Sequence, residues 1–264
     1  MLRKLLLPII LFFVFVSSAR ATNYCASAVL CYKLTEGSGT TTTDNSGNSN
    51  TGTFKSSGHP AWSSSTVPSY NVSGSAANSL SYASGDYVDS GTTTTLTNLP
   101  GSAWSLTMWV YATGDGDSNK GRFIDKNEWS MQFDSTGSHL IQLTIAFSGG
   151  TMTVASSTAL GLSGWHFIAI RGNGSTTASN THIYIDNTEV SYGVQTNASG
   201  SLATDSTHVQ IGNRQSDEAR TFGGNIGPVM LFNSELTTTQ LTEIYNYGPG
   251  GAPSSGNNGF ARFL

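Results

Sequence analysis

Ten aspartates, six glutamates, five histidines and two cysteines are the whole supply of acid, base, metal-ligand and thiol chemistry in this chain. Hydrolysis of a glycosidic bond needs two carboxylates on either side of the scissile bond, about 5–10 Å apart. A strand reading Glu-x-Asp-x-Glu would place them on one face. The glutamates, at positions 36, 128, 189, 218, 235 and 243, are instead isolated. Glu128 lies near Asp125 and Asp134 without that spacing, and Asp217-Glu218 falls in a polar stretch. The histidines at 59, 139, 166, 182 and 208 lack metal-ligand spacing. There is no Ser/His/Asp set, phosphate loop or dinucleotide fingerprint. The chain reads as non-catalytic.

Binding chemistry is better represented. Hard cations take several oxygen ligands, and Asp115-Gly-Asp-Ser-Asn119 alternates three oxygen side chains. Calcium on Asp115, Asp117 and Asn119 is therefore an expectation, with Asp44–Asn50 as a second oxygen-rich loop. Lys120 stands where an EF-hand loop requires glycine and Lys126 where it closes with glutamate, which excludes that motif. Sugars pack on aromatic faces and hydrogen-bond to planar polar groups. Trp62, Tyr70, Tyr192 and Arg214 are the candidates near loops; Trp129 alternates with Met131 and Phe133 and is assigned to the core. Cys25 and Cys31 can form a disulfide in an oxidising compartment, provided that the chain folds back before Ala28. The other reading is a buried thiol at Cys31 and a mobile Cys25.

The elements that must position these residues are strands. Only 11% of the 264 residues are charged, and Gly, Ser and Thr are abundant, whereas 37% hydrophobic content suffices for a core. A net charge of −4 excludes binding that works by neutralising nucleic-acid phosphates. Residues 1–21 combine basic Arg3-Lys4, an apolar stretch Leu5 to Val16 and Ala19-Arg20-Ala21, the form of a signal peptide cleaved after Ala21. That stretch is too short to span a membrane as a helix, which takes about 20 residues. Short β-branched and aromatic runs separated by Gly, Asn, Asp and Ser follow, the pattern of a sandwich. Leu106, Met108 and Val110 alternate with Thr107 and Trp109, and Asp186-Asn187 reads as a tight hairpin turn. Leu236 to Asn246 is the one expected helix, with Thr237 and Gln240 as a capping box. From Gly248 to Leu264 a flexible tail is expected, ending in the apolar cluster Phe260–Leu264.

Several segments recur in an order that carries a resemblance. They are Glu36-Gly-Ser-Gly39, Pro60-Ala-Trp62, Asp86-Tyr-Val88, Trp104-Ser-Leu-Thr-Met-Trp-Val110 and Gly164-Trp-His-Phe-Ile-Ala169. Ile183-Tyr-Ile-Asp186, Ile211-Gly212, Phe222-Gly-Gly224 and Ile244-Tyr245 complete the series. The series resembles the laminin-G-like jelly-roll domains of the concanavalin A-like lectin/glucanase superfamily. The resemblance implies an all-β, two-sheet antiparallel jelly-roll sandwich over residues 22–247, with one short C-terminal helix and with Trp104, Trp109 and Trp165 in packing roles. Many such relatives carry Asp-Glu on the last core strand, where this chain has Gly227-Pro228. The function implied is that of an exported, non-catalytic carbohydrate-binding or adhesion module acting on a glycan or glycoprotein surface. The alternatives are a structural subunit of an extracellular filament or coat and a secreted glycan-degrading enzyme. Neither nucleic acid nor a membrane span in the mature chain is expected. Self-assembly would run through the C-terminal tail. Asn71, Asn173 and Asn197 are glycosylation sequons for a host that modifies them.

Overall fold

The computed structural model describes residues 22–56, 59–68, 77–91, 93–204 and 206–252. Residues 1–21, expected from the sequence to be a signal peptide, Tyr70, Asn71 and residues 253–264 of the expected tail lie outside the described residues. Strands form where apolar and polar residues alternate, because successive side chains point to opposite faces. Leu140–Phe147 alternates between half-buried and buried at every step. In chain order the strands are β1 (Leu30–Tyr32), β2 (Thr41–Thr42), β3 (Gly52–Lys55), β4 (Ala61–Ser63), β5 (Ser79–Tyr82) and β6 (Tyr87–Asp89). Next come β7 (Trp104–Ala112), β8 (Arg122–Asp125), β9 (Trp129–Phe133), β10 (Leu140–Phe147), β11 (Gly150–Ala159) and β12 (Trp165–Gly172). The last are β13 (Thr181–Ile185), β14 (Thr188–Glu189), β15 (Tyr192–Thr196), β16 (Gln210–Ile211) and β17 (Gly224–Phe232).

These strands make two antiparallel sheets. One has the order β14-β13-β12-β7-β17-β5-β4, with β1 also on β17; the other runs β15-β11-β10-β9-β8-β16-β6-β3-β2. Their inner faces enclose one core, in which Trp104 of β7 meets Trp129 of β9 at 5.7 Å between ring centroids. The all-β sandwich expected from the sequence is the fold observed. Asp186 and Asn187 take positive φ values of 49° and 63°, turning β13 into β14. The sequence reading did not resolve β2, β3, β4, β6, β14 and β15. They are two to five residues long, too short to show a period of their own, and pairing with neighbours forms them.

The outer face of the eight-stranded sheet is covered. Helix α3 (Thr238–Tyr247) carries the expected capping box, Thr237 Oγ1 accepting from Gln240 N. It lays Tyr245 flat on Trp109 of β7 at 5.6 Å, beside Phe167 of β12. A single helical turn, α1 (Tyr24–Ser27), folds the N-terminal segment back so that Cys25 and Cys31 are disulfide-bonded, with Cα atoms 5.3 Å apart. The Tyr24 hydroxyl donates to Glu243 of α3 at 2.5 Å. The first residues of the expected flexible tail are structured. Gly248–Gly250 is a 3-10 turn in which Gly248 and Pro249 are buried, because the N-terminal turn packs on it. A further single turn, α2 (Thr94–Thr97), precedes β7.

Candidate ligand-binding face

The outer face of the nine-stranded sheet is built from the polar half of the same alternation. Thr53, Asp89, Gln210, Asp125, Ser130, Thr144, Thr153 and Thr196 stand in register across eight strands, from β3 to β15. Adjacent members hydrogen-bond where they can reach. Ser130 and Thr144 hydroxyls meet at 3.0 Å, and one row along Gln132 Nε2 donates to Gln142 Oε1 at 2.9 Å. The result is a strip of hydroxyl, amide and carboxylate groups in which Asp125, Ser130, Gln132 and Gln210 are buried and Thr53, Asp89, Gln142, Thr144, Thr153 and Thr196 reach solvent.

A loop from Gly212 to Thr221 lies across the middle of this face. Gly212 has φ +88°, and a Cβ there would lie 2.1 Å from the Tyr82 ring, so only glycine lets the chain pass. Buried Asn213 shapes the loop: its Oδ1 accepts from Arg214 N at 2.8 Å and Arg220 N at 2.9 Å, and its Nδ2 donates to Glu218 O and Thr221 Oγ1. Gln215 N donates to Asp125 Oδ1, which fastens the loop to β8. Arg214 is paired with Asp217, whose carboxyl pKa that guanidinium lowers. Arg122 of β8 is bound to Asp125 at 2.8 Å. Burial pushes the Arg122 pKa down, Asp125 raises it, and the nearby charges of Arg214 and Arg220 add to the lowering. Arg220 donates to Ser118 Oγ and to Ala219 O and has no carboxylate partner among the described residues.

At one end of the sheet, between α2, the β8–β9 turn and the segment leading into β16, is a cavity of about 290 Å³. Five threonines and one serine line it, together with Gly91, Leu96 and Lys126. Buried Asn50 holds the α2 wall: its Nδ2 donates to Val29 O at 2.6 Å and to Thr95 Oγ1 at 3.2 Å, and Thr93 Oγ1 donates to its Oδ1. Lys126 and Glu128 form a buried ion pair at 2.9 Å that fixes the turn. The sequence reading missed this cavity. The only signal was the threonine run at 93–97, which by itself reads as a loop.

The structure does not bring the sequence-derived ligand set together. Trp62 is on β4 of the other sheet, packed on Phe54 at 5.4 Å and donating from Nε1 to Gly39 O. The Tyr192 hydroxyl is spent on Glu189 and on the Ile183 amide, and burial raises its pKa. Among the described members of the set, Arg214 alone lies on the polar face; Tyr70 is outside the described residues. Asp115, Asp117 and Asn119 share a loop but not a focus. Asp115 is bound to His139, and Asp117 Oδ2 accepts from Thr221 N at 3.1 Å. Asp44 accepts from the amides of Cys31, Ser46 and Asn50, so the second oxygen-rich loop is organised around its carboxylate. Among the described residues no group of three His, Cys, Asp or Glu side chains could hold a metal ion. All six glutamates have protein partners: Thr43 for Glu36, Lys126 for Glu128, His182 for Glu189, Tyr87 for Glu218, Arg171 for Glu235 and Tyr24 for Glu243.

Three solved structures among those with similar folds are toxin binding domains. The binding domain of Paraclostridial Mosquitocidal Protein 1 matches with a TM-score of 0.61 and 10% identity over 84% of this chain and 52% of that one. The binding domain of botulinum neurotoxin serotype D gives 0.55 and 14% identity, over 85% and 52%. The binding domain of botulinum neurotoxin DC, solved with rat synaptotagmin II, gives 0.55 and 13%, over 84% and 52%. This chain thus spans about half the length of each, and at these identities the likeness is one of fold. No curated protein matches the sequence. The family model for laminin-G domains of the concanavalin A-like type matches residues 83–242. That match takes in more than half of the sequence, and the chain belongs to the concanavalin A-like lectin/glucanases superfamily.

Proposed function

We propose that this protein is an exported, non-catalytic binding module whose ligand is a glycan, bound on the outer face of the nine-stranded sheet. The observation that carries the reading is the register of Asp, Gln, Ser and Thr side chains across that face, joined by Arg214 and Arg220 from the loop above it. Hydroxyls, amides and guanidinium groups held rigidly on strands match the alternating donors and acceptors of a sugar. The threonine-lined cavity at the sheet end offers the same chemistry in concave form. The binding domains that share the fold support the reading, since that of botulinum neurotoxin DC was solved in complex with rat synaptotagmin II and also in complex with SialylT. Export rests on the signal-peptide form of residues 1–21, and no helix among the described residues is long and apolar enough to cross a membrane.

A catalytic reading is disfavoured by the glutamates, each engaged by a partner that holds it in a structural role. Calcium on Asp115, Asp117 and Asn119 is retained as a subordinate proposal. The ion would have to displace His139 and the Thr221 amide, so a small effect is expected. The test is a glycan array with the mature chain, followed by calorimetry of each hit on the Gln142→Ala/Thr144→Ala variant. Binding that falls at least about tenfold in a variant of unchanged melting temperature supports the site. Hits that ignore the substitutions overturn the site, and an empty array overturns the glycan reading. Release of reducing sugar from a hit would return the protein to the enzymes.

A further inference from the structure

The cavity at the end of the nine-stranded sheet has a chemistry of its own. Its volume is about 290 Å³, whereas a dry cavity of about 150 Å³ suffices for a benzene ring. The additional room is what a six-membered ring needs for its substituents. Among the described residues on its wall only Lys126 is charged, and its Nζ donates to both Glu128 carboxylate oxygens, at 2.9 and 3.1 Å. This buried pair cancels its own charge, so the wall favours neither an anion nor a cation. Hydroxyls and aliphatic carbons make up the rest. Three threonines spend their hydroxyls on the walls: Thr93 on Asn50, Thr97 on Thr93 O at 3.1 Å and Thr207 on Lys126 O at 3.2 Å. Thr94, Thr204 and Ser206 are exposed at the mouth. Walls fixed in advance lower the cost of ordering a bound ligand.

We infer that this cavity is a separate site for one neutral polyhydroxylated ring of pyranose size. Its hydroxyls meet Thr94, Thr204 and Ser206, and its C–H edges meet Leu96 and the threonine methyl groups. A hydroxyl donates one hydrogen bond and accepts two, so hydroxyl-bearing walls pair with either sense of a ligand O–H. Each threonine sets a methyl group beside its oxygen, which matches a ring that alternates C–H and O–H. No aromatic side chain lines the cavity among the described residues, so the contact is through hydroxyls and methyls rather than by stacking. A carboxylated or sulfated ring would give up its hydration with no uncommitted cation to replace it, because Lys126 is held by Glu128. The cavity begins where the acidic members of the polar strip end: Gly91 N donates to Asp89 Oδ1 at 2.8 Å and Asn127 N to Asp125 Oδ1 at 2.9 Å. A ligand of about a dozen heavy atoms on such walls binds in the millimolar range. The class of ligand follows from the cavity alone and goes beyond the polar-face reading without resting on it.

The experiment is an NMR amide titration of the mature chain with the methyl glycosides of glucose, galactose and mannose, and with sodium sulfate alongside. At least one glycoside should move the amides of Gly91, Thr94, Thr204 and Ser206, and sulfate should leave them in place. Thr94→Leu/Thr204→Leu removes two hydroxyls and fills the mouth, and should raise the Kd at least about tenfold with an unchanged melting temperature. Thr94→Ser/Thr204→Ser keeps the hydroxyls and should bind like the wild type. The Gln142→Ala/Thr144→Ala variant should also bind these glycosides like the wild type, which separates this site from the polar face. Cavity amides that no glycoside moves, well above millimolar concentration, overturn the inference. So do sulfate shifts at the same amides, binding that survives in the leucine variant or is lost in the serine variant, and binding lost with Gln142 and Thr144.

Discussion

The two outer faces of this sandwich have been put to opposite uses by the same alternation. On the eight-stranded sheet the outward positions are Trp109, Phe167, Tyr184 and Met230, and helix α3 and the disulfide-tied N-terminal segment close over them as a second core. On the nine-stranded sheet they are Gln, Ser, Thr and Asp, and what crosses them is a polar loop fastened through Asn213 and Gln215. One face is used for stability, and the proposed function leaves the other for contact. Changes to the covered face should therefore cost stability, and changes to the polar face should cost binding.

High pH gives the largest effect, because it acts on the whole sandwich. Burial raises the pKa values of Tyr24, Tyr32, Tyr82, Tyr87 and Tyr192 above their ordinary value. An unfolded tyrosine ionises near about pH 10 whereas these stay neutral in the fold. The stability they contribute is complete below that pH and is lost as pH rises from there toward the folded values. Ionisation of these five of the ten tyrosines should thus accompany unfolding; tyrosinate absorbance from all ten in a folded protein would show these rings to be accessible. Next in size is Trp109→Ala, which empties the stack under Tyr245 and should cost about 3–5 kcal/mol in denaturant unfolding. A loss under about 1 kcal/mol would mean that α3 does not depend on that face. Cys25→Ser/Cys31→Ser opens a small loop and should cost about 2 kcal/mol. The loss should be confined to the covered face, leaving glycan affinity intact. Smallest is calcium, whose addition should raise the melting temperature only slightly; Asp117→Ala should remove that rise. A large rise would place a metal centre on the polar side.

The fold was legible because it rests on local signals. Alternation in 104–112, the Asp186-Asn187 turn and the Thr237/Gln240 capping box each specify their geometry within a few residues. The site was less so, because it is made by register between distant strands. Gln132 and Gln142, or Asp125 and Gln210, become neighbours only once the ladders form. Aromatic content pointed to Trp62 and Tyr192, but Trp62 packs on Phe54 and the Tyr192 hydroxyl is bound to Glu189 and the Ile183 amide. Arg214 was recoverable since an arginine in a polar loop has no packing role to fill. The Asp115 loop looked like a cation site from its spacing, but His139, which binds Asp115, enters from another part of the chain.

Backbone amide titration by NMR with a glycan recovered from the array tests the central claim most directly. The account predicts that shifts concentrate on β9, β10, β11 and the 213–220 loop, with α3, β12 and β13 unmoved. Shifts gathered on α3 and the sheet beneath it, or around Trp62 alone, would contradict the assignment of the polar face as the binding surface.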